Sequence, residues 1–130
     1  MGWRVTGIRG RALVLDDGLS LWGGMDPASG KVIDGHHPQL GASLTGRIVV
    51  MPSGRGSSSS ASVLAEAVRA KTAPAAIVLA EPDLILAIGA AVAEELYGVQ
   101  VPILVLPPDE LAAIPDGVML RIGEGTVRRE

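Results

Sequence analysis

At 130 residues the chain has the length of one domain, able to bury roughly two-thirds of its extended surface around a single core. Its 11 basic and 14 acidic residues leave a formal charge of -3 with no Lys/Arg cluster, which excludes a sequence-independent grip on nucleic acid. Cysteine is absent, so the chain forms no disulfide and ligates no iron–sulfur cluster through thiolates. The segment "MGWRVTGIRG" lacks the apolar stretch of a signal peptide, and the longest apolar run, "LILAIGAAVA", is too short to span a bilayer. A soluble, cytoplasmic protein without membrane partners is the expectation.

About half of the residues are apolar, yet there is no Phe, one Tyr and two Trp, so the core must be built from Ala, Val, Ile and Leu. That suits an α/β layer structure. In chain order, "RALVLDDG" predicts a strand ending in a hairpin turn at Asp17-Gly18, and "LSLWGG" carries the chain into a long Gly/Pro/Asp-rich loop. "RIVVM" is a continuous apolar run of the kind buried on both faces of a sheet. After a Gly/Ser segment, Ala61, Leu64, Ala65 and Val68 give the i, i+3, i+4, i+7 pattern of an amphipathic helix, with Arg69 and Lys71 at its C-terminal end. "AAIVLA" is a second buried strand. Pro82 and Asp83 open a helix through "LILAIGAAVAEELY" that Gly98 closes; it is apolar nearly all round, which predicts cover from more than its own sheet. "VPILVL" is a third strand, "PPDELAAI" a helical turn and "VMLRIG" a last strand before the charged tail "RRE". The alternation in the second half implies parallel strands joined by right-handed crossovers, and the front half adds β structure to give β/β/α layering.

The segment "PSGRGSSSSAS", Pro52 to Ser62, admits three readings. Gly and Ser in isolation make a flexible spacer, but a spacer is out of place between a buried strand and a helix of one domain. Ser57 or Ser58 would serve as a helix cap. The third reading adds to capping: Gly54 and Gly56 let the backbone approach a ligand, N–H groups near Ser57, Ser58 and Ser59 point out of the helix N-terminus, and Arg55 brings a cation. Such a loop at the carboxyl end of a parallel strand cradles a carboxylate or phosphate. It lacks the Lys and spacing of a P-loop, and no nucleophile-elbow pattern supports Ser-His-Asp hydrolysis with His36 or His37. The His pair has no second ligand cluster to complete a metal site, and a loop-anchoring hydrogen bond is the expectation for at least one of them. Asp26 and Asp34 flank a turn at "PASGK", where simple Asx capping explains them.

Taken in order, "LWGGMDPASGKVIDGHHPQLGASLTGRIVVMPSGRGSSSSASVLAEAVRAKTAPAAIVLAEPDLILAIGAAVAEELYG" resembles the small, swivelling domain of aconitase X, from about Gly7 to Leu106. The resemblance implies a swivelling β/β/α fold and a small subunit, or fused domain, working beside a large subunit that holds the iron or iron–sulfur centre. It implies dehydration of a hydroxy acid or related alcohol, with that metal as Lewis acid on the leaving hydroxyl and this domain supplying the base. "GRGSS" is similar to the serine loop of the wider superfamily, whose first Ser of the Gly-Ser-Ser unit is the base; that residue here is Ser57. Arg55 is the cation implied beside it, and Gly56, Ser58 and Ser59 the implied substrate contacts. Superfamily members commonly continue with an Arg that holds a substrate carboxylate, and Ser59 stands there, so anchoring falls to Arg55, the loop backbone or the large subunit. Gly23, Gly24, Asp26, Asp34 and His37 are expected near the same site.

Two substrates are implied, cis-3-hydroxy-L-proline in bacterial members and 5-phosphomevalonate in archaeal ones. Archaeal loops tend to run Gly-Lys-Gly-Ser-Thr, and "GRGSSSSASVLAEAVR" looks more like the bacterial type, which favours hydroxyproline. The rivals are a stand-alone anion-binding module and a purely structural subunit. A composite enzyme further predicts an exposed apolar patch beside the Gly/Ser loop.

Overall fold

The computed structural model describes residues 7–55 and 57–130. Six strands form one sheet in the order β6-β5-β4-β1-β7-β8: β1 (Ile8–Val14), β4 (Ile48–Met51), β5 (Ala76–Leu79), β6 (Ile103–Val105), β7 (Met119–Gly123) and β8 (Thr126–Arg129). The four strands from β6 to β1 run parallel, as the alternation in the second half predicts; β7 pairs antiparallel with β1, and β8 pairs antiparallel with β7 at the edge. β1 is shared between the two halves: Ile8 to Arg11 face β7, and Ala12 to Val14 face β4. Arg47 fixes this junction by donating to the Arg11 and Ala12 carbonyls at 3.2 and 2.9 Å.

The continuous apolar runs are explained by cover on both faces. Leu13, Leu15, Val49, Met51, Ile77 and Leu79 pack against α2 (Ser60–Ala70) and α3 (Leu84–Tyr97). Ala12, Ile48, Val50, Ala76 and Val78 pack against Leu111 of α4 (Pro108–Ala112) and against Leu120 and Ile122 of β7. Each large aliphatic side chain so enclosed contributes about 1.5–3 kcal/mol. The amphipathic pattern of α2 buries Leu64, Ala67 and Val68, and the helix ends at Lys71 in the left-handed region (φ 65°), where its N–H reaches the Ala67 and Val68 carbonyls. Asp83 caps α3 by accepting from the Leu86 N–H at 2.9 Å, and Gly98 (φ 69°) closes it, as expected.

Three expectations are corrected. No hairpin turns at Asp17-Gly18, because both neighbours of β1 are distant strands, and the chain instead enters a kinked helical turn, α1 (Leu21–Gly24). Gly18 has no positive φ; its hydrogen is needed because a Cβ there would collide with the Ser53 carbonyl oxygen. The long loop carries a two-stranded ribbon of its own, β2 (Met25–Asp26) with β3 (Lys31–Val32). The charged tail is largely strand: Glu124 (φ 53°) and Gly125 (φ 76°) make a two-residue turn of the I′ kind that folds β8 onto β7. Glu130 then joins Arg9 and Arg121 at 2.9 and 3.2 Å. Cover for α3 comes from α2 on one side, while its outer face is open. Among the described residues no helix is long and apolar enough to cross a membrane.

Candidate functional site

The Gly/Ser segment is a short connection from the end of β4 to the start of α2, at the carboxyl edge of the parallel strands. It is held from behind at two points. On one side the close approach of Gly18 to the Ser53 carbonyl brings the 15–18 segment against the loop, and a Cβ on Gly18 would also come within 3.3 Å of the Arg55 Cγ. On the other, Asp83 lies under Gly54: a Cβ there would sit 2.5 Å from Asp83 Oδ2 and 3.1 Å from Leu86 Cδ1. Gly54 has no positive φ, so it serves close approach, and what approaches is the protein's own carboxylate.

Ser57 is partly buried, and its hydroxyl accepts the Ser59 N–H at 3.2 Å, while its carbonyl accepts the Ser60 N–H at 2.9 Å. The expected capping by Ser57 or Ser58 is replaced by a turn leading into α2: Ser57 accepts from the N-cap residue Ser59, and among the described residues no side chain caps the first turn of the helix. Ser58, Ser59 and Arg55 are exposed at the mouth, and Arg55 has no ion-pair partner among the described residues. Gly56 lies outside the described residues.

Ser60, the first residue of α2, is buried, and its Oγ accepts the Trp22 N–H at 3.2 Å. That bond ties α1 to the mouth and leaves the Trp22 side chain 54% exposed beside it. Gly24, two residues on, is buried against Leu19, and its carbonyl accepts the Ile33 N–H.

His37 and His36 diverge as adjacent residues in a loop do. His36 is exposed, and His37 is buried with both ring nitrogens engaged: Nδ1 accepts the Gln39 N–H at 3.0 Å, so Nε2 carries the proton it donates to the Asp17 carbonyl at 3.1 Å. His37 therefore stands one layer behind the mouth and anchors the segment that carries Gly18. Asp26 caps its own turn, accepting from the Ala28 N–H and the Ser29 hydroxyl, and Asp34 accepts the His36 N–H. The Asp26 turn belongs to the other end of α2, where the Thr72 hydroxyl donates to the Pro27 carbonyl at 2.6 Å. The structure thus brings Arg55, Ser57, Ser58 and Ser59 together, puts Gly24 and His37 behind them, and keeps Asp26 apart.

Gly18, Ser60 and Asp83 are the supporting residues that sequence reasoning does not assign to the site. Gly18 and Asp83 carry local signals, a turn glycine and a helix cap, but nothing in the pattern shows which distant residue each meets. Among the described residues no group of three or more His, Asp or Glu is arranged to hold a metal ion, and the sequence has no Cys, so the described residues do not fit an iron centre.

Comparison with known proteins gives a consistent picture. The family described as the aconitase X swivel domain matches residues 5–128. A Pseudomonas aeruginosa protein named cis-3-hydroxy-L-proline dehydratase is 55% identical over 108 residues, covering 82% of this chain and 19% of its own length. A Methanothermobacter thermautotrophicus protein named phosphomevalonate dehydratase small subunit is 41% identical over 85 residues, 65% of each chain. The crystal structure of Thermococcus kodakaraensis aconitase X in its holo-form superimposes with a TM-score of 0.86 at 27% identity, over 98% of this chain and 92% of that one. The chain spans about a fifth of the length of the hydroxyproline dehydratases it matches.

Proposed function

The chain belongs to the aconitase X swivel-domain family, and from that premise we propose that it is the small subunit of a cytoplasmic hydro-lyase that dehydrates cis-3-hydroxy-L-proline. The observation that carries the substrate is the 55% identity to a dehydratase of that name. A separate small subunit, a single swivel domain, is supported by relatives of similar size that bear that designation. The large subunit would hold any metal centre, since the described residues of this chain do not fit one.

In this reading Ser57 is the base. Its charged oxygen takes the proton from the carbon next to the hydroxyl-bearing one, the C–H electron pair forms the C=C bond, and the C–O bond breaks with its pair to leave hydroxide; return of the proton from Ser57 to that hydroxide, through solvent, releases water and restores the base. A serine oxygen is a poor base in water, so its charged form needs stabilisation. The Ser59 N–H already donated to Oγ is a bond that strengthens as the oxygen gains charge, and the α2 N-terminus adds its positive end. Arg55, with the loop backbone at Gly56, Ser58 and Ser59, is assigned to the substrate carboxylate. Gly24 and His37 are assigned to the shape of the surrounding loop, and Asp26 only to its own turn at the other end of α2.

The test is turnover by the complex of this chain with its large subunit under anaerobic conditions, on cis-3-hydroxy-L-proline and on 5-phosphomevalonate. Ser57→Ala should keep the complex and lose roughly a hundredfold or more in kcat. Undiminished turnover by that variant would reject Ser57 as base. Turnover of phosphomevalonate alone would move the chain to the second reading, which the similarity to archaeal small subunits supports.

A further inference from the structure

The outer face of α3 is the least explained surface of the molecule. Leu84, Ile88, Val92 and Leu96 recur every four residues and are 74%, 49%, 41% and 63% exposed. Ala87 and Ala91 share that exposed arc, and Leu86, Gly89 and Ala93 face inward. A helix face solvated for its own sake carries charges. This helix carries none from Leu84 to Ala93, and Glu95 is the one charge in the exposed arc.

The stripe is also fixed to the candidate site. Asp83, immediately before Leu84, underlies Gly54, and a Cβ on Gly89 would fall 2.8 Å from the Ala61 carbonyl oxygen at the start of α2. The first turn of α3 therefore adjoins the loop that holds Ser57 from beneath. An apolar ridge that begins beside an incomplete catalytic site is placed to be buried when that site is completed.

Resting on the function proposed above, we propose that the α3 face from Leu84 to Leu96 is the docking surface for the large subunit. The hydroxyproline dehydratases matched here carry roughly four-fifths of their length beyond this domain, so a body large enough to cover the stripe accompanies the domain in those relatives. The alanines at 87 and 91 let the partner backbone approach closely between the larger side chains. The recognising surface on the large subunit is then apolar and nearly uncharged, and the interface has its hot-spot positions at Ile88 and Val92 in the middle of the stripe.

Two measurements on separately purified chains test this. In the first, Ile88→Lys/Val92→Lys should leave the melting temperature of the isolated chain unchanged and weaken binding of the large subunit by roughly a hundredfold or more. Thr126→Lys on the far edge of the sheet should bind as the wild type does. In the second, carbene labelling of the wild-type chain should mark residues 84–96 when it is free and lose that labelling in the complex. Unchanged affinity in the double-lysine variant, or unchanged labelling in a complex that dehydrates substrate, overturns the docking surface while the proposed function stands. Failure of the wild-type chain to bind the large subunit at all overturns both. A dimer of the isolated chain that the lysines abolish, with large-subunit binding intact, would assign the face to a second copy and also overturn the proposal.

Discussion

The carboxylate of Asp83 occupies the space that a side chain on Gly54 would need, 2.5 Å from the position of an ideal Cβ. It is not free to turn away, because its other oxygen caps α3 through the Leu86 N–H. One acidic residue thus supports a helix start and the underside of the serine loop together.

Gly54→Ala should therefore destabilise the chain by about 1–3 kcal/mol, the usual cost of forcing an extra methyl into a filled space, and lower kcat by displacing Ser57. Adding Asp83→Ser shortens the obstructing side chain and keeps a capping oxygen. The double variant should melt higher than Gly54→Ala alone. Thermal melts of the three proteins decide this, and a Gly54→Ala chain as stable as wild type would show that the contact gives way at no cost.

His37→Leu removes both bonds of a buried ring and leaves the Gln39 N–H and the Asp17 carbonyl unpaired. Asp17 is exposed and Gln39 half-buried, so water partly replaces the lost partners and the cost is about 1 kcal/mol per bond. His37→Asn puts an oxygen near the Nδ1 position and should recover part of the loss. Urea denaturation of both variants reads the difference. Equal stability of the two would mean that the Gln39 bond contributes nothing.

Glu130 gives a pH dependence of definite sign. Its hydrogen bond to Arg9, the largest influence, holds its carboxyl below the ordinary value of 4.5 against the opposing effect of burial, and the bond to Arg121 adds to the lowering. A carboxyl lowered in the folded state adds stability that is fully present above the unfolded value and is lost as pH falls through the folded one. The advantage of wild type over Glu130→Gln in melting temperature should therefore be present at neutral pH and vanish in acid below the folded value. The cluster is on the surface, so salt should erode the same advantage. A difference that persists unchanged in acid would exclude the ion pairs as its origin.

The second half of the fold was legible because its signals are local. "RIVVM" and "AAIVLA" are apolar without interruption since the sheet is covered on both faces, and Asp83 and Gly98 bound α3 by cap chemistry that depends on a few neighbouring residues. The serine loop was legible for the same reason, lying between a strand and a helix that each announce themselves. The front half was not. Asp17-Gly18 carries the signature of a turn, but the glycine answers a steric demand from Ser53, 35 residues away, and no local pattern encodes that contact. Lys71 stands in the left-handed position where Gly or Asn would be the usual signal, and Glu124-Gly125 replaces the Asn-Gly that marks a type I′ hairpin. Ser60 could be read as a helix-entry residue, while its bond to Trp22 depends on a segment 38 residues earlier.

The position of β1 between the two halves of the sheet has a kinetic consequence. Its parallel neighbour β4 lies a few dozen residues on, but its antiparallel neighbour β7 is near the other end of the chain, and Arg11 meets the Gly117 carbonyl across a separation of 106 residues. Closing so long a loop costs entropy before any contact repays it. The β4–α2–β5–α3–β6 unit, whose neighbours are close in sequence, is therefore the part that forms early, and the seam between β1 and β7 is laid down last. Ser57, the proposed base, sits within the early unit, so its loop is shaped before the sheet is complete.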